Sequence, residues 1–191
     1  MEKRCNQLPN CRDKSDELGC KTLILEKGYN KLVPPITSTS DNDDSVIPVP
    51  VRLSMILQKI VDIEEEDHSI DMQFQTTLEW KDNRATFHNL KPNMYLNALS
   101  LDDLKQLWLP LVIYTNTDQQ ETTILGENWE WTTRVWVKRE GSFTRSEPSV
   151  LDEIEIFKGS ENTLVMVQSY THEFQCVYQL EKYPFDTKVG E

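Results

Sequence analysis

The chain has 191 residues, with 20 basic side chains against 32 acidic ones and a formal net charge of −12. That length suits one full domain, or one domain with a small module. The acidic balance argues against a nucleic-acid grip, which needs a basic surface, and against polybasic attachment to anionic lipid. No uncharged apolar run approaches the roughly 20 residues of a membrane helix. The start, Met1 to Asn6, lacks the apolar core of a signal peptide. Charge and N-terminus alone would describe a soluble cytosolic protein, but the cysteines argue for another compartment.

Cys5, Cys11 and Cys20 crowd the first twenty residues, and Cys176 stands alone near the end. Such density is the mark of a small disulfide-stapled module from an oxidising compartment. Zinc is the alternative, but gaps of five and eight residues with no nearby histidine fit C-x2-C pairs badly. The run Cys11-Arg12-Asp13-Lys14-Ser15-Asp16-Glu17-Leu18-Gly19-Cys20, with Cys5 before it, resembles the C-terminal half of a low-density-lipoprotein receptor class A repeat. In that family a calcium ion, held by carboxylate and carbonyl oxygens, replaces a hydrophobic core too small to fold alone. The resemblance implies Asp16 and Glu17 as calcium ligands and Leu8 as a carbonyl donor. Asn6 and Asn10 stand where the family has Asp, so two negative charges are lost. It further implies a Cys5–Cys20 pair and leaves Cys11 without its partner. Met1 is then expected to be an artificial start inside the module, assigned to residues 1–21.

A linker is expected over residues 22–46, where Pro34-Pro35 opens an aperiodic Ser, Thr and Asp stretch. The third segment, residues 47–191, turns to period two, the pattern of half-buried strands. Val49, Val51, Leu53, Met55 and Leu57 form one imperfect alternation. Ile70, Met72, Phe74, Thr76, Leu78 and Trp80 form a clean one, and Glu64–Asp67 between them reads as an acidic turn. Further strands are predicted over Thr132–Lys138, Leu151–Phe157 and Leu164–Cys176. Only Leu101–Leu107 reads as helical, with Ser100 as its N-cap. Antiparallel strands without helical crossovers predict an all-β protein with an immunoglobulin-like β-sandwich.

Enzyme chemistry finds little support. His68, His88 and His172 lack metal-ligand spacing, and His172-Glu173-Phe174-Gln175-Cys176 ends in cysteine where a zincin needs histidine. No G-x-S-x-G, P-loop or G-x-G-x-x-G occurs. The acidic clusters read as solvated loops. Five tryptophans, at 80, 108, 129, 131 and 136, serve either as core or as an aromatic box for an ammonium ligand.

Cys176 is followed by Leu180 at the fourth position and by Tyr183-Pro184-Phe185-Asp186 at the seventh to tenth. This resembles the signature loop of Cys-loop receptors, the pentameric neurotransmitter-gated ion channels. Trp80-Lys81-Asp82-Asn83-Arg84 resembles the family's W-x-D-x-R motif after the second strand. Trp108-Leu109-Pro110, followed by Asn116, resembles its W-x-P-D…N segment, with Leu111 in place of the Asp. The three motifs keep their order over about 110 residues.

The resemblance implies an incomplete extracellular ligand-binding domain, on the outer side of the plasma membrane, that couples ligand binding to pore opening. Its partners would be a small neurotransmitter-like ligand and other receptor subunits in a homo- or hetero-pentamer. It would meet the membrane only through segments beyond this chain. Leu180 and Tyr183–Asp186 would form the coupling tip. The pocket positions would be Gln75 with Phe74 beside it, and Thr115 with Tyr114 beside it. Gln75 and Thr115 are not aromatic, which argues against acetylcholine. The partner of Cys176 belongs at Gly190, so the expectation is a chain cut short with a non-native Val189-Gly190-Glu191 tail. Two alternatives share these residues: a secreted binding protein of the same fold, and a calcium-dependent adhesion protein using the class A module.

Overall fold

The structure is a computed structural model that describes residues 12–13, 21–37, 47–64, 67–117, 133–145 and 154–176. The strand alternation read from the sequence reappears in the burial of these segments. β5, Ser69–Trp80, buries Phe74, Thr76, Leu78 and Trp80 and leaves the residues between them half-buried. β7, Thr133–Lys138, buries Thr133, Val135 and Val137 in the same way. β10, Thr163–Gln175, is buried on both faces over its first four residues and alternates towards its end.

The described strands form two four-stranded antiparallel sheets and a two-stranded pair. The first sheet runs β1 (Leu23–Leu25), β6 (Ala85–His88), β9 (Glu155–Lys158), β8 (Phe143–Arg145). Its register places Leu23 opposite Phe87, Phe87 opposite Phe157, and Phe157 opposite Phe143. One row of large apolar side chains therefore crosses the whole sheet, and such cross-strand pairs are the unit of sheet stability. Phe87 and Phe157 are fully buried, and the Arg139 guanidinium lies over the Phe157 and Phe143 rings. The second sheet has the order β4 (Arg52–Glu64), β5, β10, β7. β2 (Ile36–Thr37) pairs with β3 (Ile47–Pro48).

The chain divides into two compact units. One holds Met1–Leu53, Leu78–Pro110 and Arg134–Met166; the other holds Ser54–Thr77, Leu111–Thr133 and Val167–Glu191.

Three expectations need correcting. Residues 22–46 are not a linker throughout, because Leu23–Leu25 is a strand of the first sheet and Leu23 belongs to its core. Three residues are too few for a periodic signal to emerge. The strand expected from Val49 begins at Arg52 and runs to Glu64, and every residue of it is exposed. As the edge of its sheet it has no buried face, so its alternation predicted a burial that the fold does not give. The expected helix 101–107 is a single turn, α1 (Leu101–Leu104). Ser100 is its N-cap as expected, in a capping box with Asp103 that closes the turn from both sides.

Replacing Phe87 by alanine removes the centre of the cross-sheet row. We expect Phe87→Ala to destabilise the fold by about 3–5 kcal/mol in urea unfolding. Ser100→Ala, which removes one cap, should cost about 1 kcal/mol.

Candidate functional site

Of the motif residues, the W-x-D-x-R group shows the most developed chemistry. Asp82 is fully buried in the turn after β5. Its Oδ1 accepts from the Arg84 backbone N–H at 3.0 Å and from Arg84 Nε at 2.9 Å. Its Oδ2 accepts from Arg84 Nη2 at 2.8 Å and from the Tyr29 hydroxyl at 2.7 Å. A buried carboxylate is tolerated when its lone pairs are filled in this way. Arg84 continues outward, its Nη1 donating to the Val33 carbonyl at 2.8 Å, and its guanidinium covers the Tyr29 ring at 4.5 Å. The hydrogen bond to Asp82 raises the Arg84 pKa further, and burial pushes the Tyr29 phenol well above its ordinary value.

Tyr29 also joins two motifs that are distant in sequence. Its hydroxyl accepts the Trp108 backbone N–H at 2.8 Å, and the Trp108 ring meets Trp80 edge-on at 6.2 Å. Trp80-x-Asp82-x-Arg84 and Trp108-x-Pro110 are thus parts of one assembly. Tyr29 was not singled out in the sequence. Its available signal was Gly28, whose φ of +96° makes the turn that a non-glycine residue would strain. Gly159 completes the assembly from the other side. A Cβ there would collide with the Asp82 and Ala85 carbonyl oxygens.

The four pocket positions separate into two pairs. Phe74 and Tyr114 meet edge-on at 5.4 Å, in a cluster with Tyr170, His172 and Phe174. Tyr170 and His172 stack at 5.4 Å. Gln75 is half-buried and Thr115 exposed, and neither belongs to that cluster. Adjacent residues of a strand face opposite sides, which is why Phe74 and Gln75 part company. The rings contact one another directly, as a packed aromatic core does. Burial pushes the Tyr114 phenol up to about 12, and the Thr76 hydroxyl opposes the shift without reaching hydrogen-bond geometry. Among the described residues, Tyr114 OH, Thr76 Oγ1 and His172 Nε2 are buried without a hydrogen-bond partner.

Asn116 is exposed, and its carbonyl accepts the Gln175 N–H at 2.8 Å. Cys176 is a half-buried free thiol. At the β4–β5 turn a hydrogen bond to Asp67 raises the Glu64 carboxyl, with the charges of Asp67, Asp62 and Glu173 adding to the rise. An open groove of about 670 Å³ lies between Lys21-Thr22 and the α1 turn, and no pocket position lines it. Among the described residues no cluster of His, Cys, Asp or Glu could hold a metal ion. Cys5, Asn6, Leu8, Asn10, Cys11, Asp16, Glu17 and Cys20 lie outside the described residues, as do Leu180, Tyr183, Pro184, Phe185 and Asp186.

The sequence profile of the neurotransmitter-gated ion-channel ligand binding domain matches residues 21–189. The chain belongs to that family. It is a family of ligand-binding domains, not of enzymes. Its match begins with β1 and takes in both halves of the Tyr29-centred assembly. It leaves out residues 1–20, where the class A likeness lies.

The chain is 29% identical over 109 residues to "Neuronal acetylcholine receptor subunit eat-2" of Caenorhabditis briggsae, covering 56% of this chain and 21% of that one. It is 25% identical over 99 residues to "pH-sensitive chloride channel 2" of Drosophila melanogaster, covering 51% and 18%. It is 22% identical over 190 residues to "Acetylcholine receptor subunit beta-type unc-29" of Caenorhabditis elegans, covering 94% and 30%. The chain therefore spans less than a third of the length of these relatives. No helix among the described residues is long and apolar enough to cross a membrane.

Arg84→Met would leave the Asp82 carboxylate buried without its cation, at an expected cost of about 3–5 kcal/mol in chemical unfolding. In the aromatic cluster, Tyr114→Phe removes a buried hydroxyl that has no partner. It should leave stability unchanged or raise it, and a measured loss above about 1 kcal/mol would reveal a hydrogen bond to that oxygen.

Proposed function

We propose that the chain is the extracellular ligand-binding region of a neurotransmitter-gated ion-channel subunit, working with neighbouring subunits around a pore. The family match over residues 21–189 carries this reading. The two sheets are read as the β-sandwich of that domain, and the Tyr29–Asp82–Arg84–Trp108 assembly as its rigid frame. A ligand that closes on the subunit interface would bias a two-state pore, since a ligand shifts an equilibrium only by its differential affinity for the two states. Leu180 and Tyr183-Pro184-Phe185-Asp186, placed by their likeness to the family's signature loop, would carry that bias towards the membrane.

The ligand is a small molecule whose recognition does not rest on aromatic rings at Gln75 and Thr115. A quaternary ammonium held by cation–π attraction at those two positions is therefore disfavoured. The class A likeness at residues 5–20 is proposed as a separate N-terminal module, with calcium held through Asp16 and Glu17.

The complete subunit, expressed in oocytes and counted at the surface, should pass current when a small transmitter is applied. Asp186→Asn should reduce that current at an unchanged surface count. A receptor that reaches the surface yet stays silent to amine, amino-acid and proton stimuli would overturn the channel reading. An Asp186→Asn receptor with normal currents would overturn the coupling role alone.

A further inference from the structure

No further inference is drawn: the strongest candidate, the ring cluster of Phe74, Tyr114, Tyr170, His172 and Phe174 with the buried polar atoms of Thr76, Tyr114 and His172 beside its rings, carries nothing, because those atoms lack partners only among the described residues and nothing in the structure shows what covers the cluster.

Discussion

The buried Asp82 carboxylate is the group on which the first unit depends. A carboxylate without water is expensive, and its solvation must be replaced by fixed donors. Arg84 supplies three N–H groups from two residues away and Tyr29 supplies a hydroxyl from 53 residues away. Each donor that satisfies the charge also fixes a piece of chain: the turn after β5, the segment after β1, and, through the Trp108 N–H on Tyr29, the segment after α1. The Trp80–Trp108 contact adds apolar area beside the same carboxylate. The spacing Trp80-x-Asp82-x-Arg84 therefore has a mechanical meaning. It puts a ring in the core, a charge beneath it, and a cation that reaches back over the turn.

The aromatic cluster of the other unit is built on different terms. Phe74, Tyr114, Tyr170, His172 and Phe174 gather large apolar area, but three polar atoms within reach of the rings have no partner among the described residues. An unsatisfied buried group costs more than a hydrogen bond returns. The assembly around Asp82 bonds each carboxylate oxygen twice, yet it too leaves a buried atom, Trp80 Nε1, without a hydrogen-bond partner among the described residues. β4 differs from both, with every residue exposed.

The match to the ligand-binding-domain family takes in Trp80, Asp82, Arg84 and Trp108, which Tyr29 and the Trp80–Trp108 contact join in the fold.

The sequence by itself determined the class of the fold, the family and the positions of β5, β7 and β10. β5, β7 and β10 were legible because one face of each is buried, which writes a period of two into the residues. Ser100 was legible as a cap because its chemistry is local. Tertiary structure alone decided the rest. β1 is three residues long and acquires meaning only when Leu23 meets Phe87. β4 alternates like a half-buried strand yet is exposed throughout, since periodicity reports what a strand could bury and not what lies beside it. Tyr29 lies in an unpatterned stretch, and its role comes from two partners 53 and 79 residues away. Gln75 and Phe74 are neighbours in the chain, but the pleat sends them to opposite faces and puts only Phe74 in the aromatic core. Local rules reach a few residues along the chain, whereas these assignments come from contacts between segments that only folding brings together.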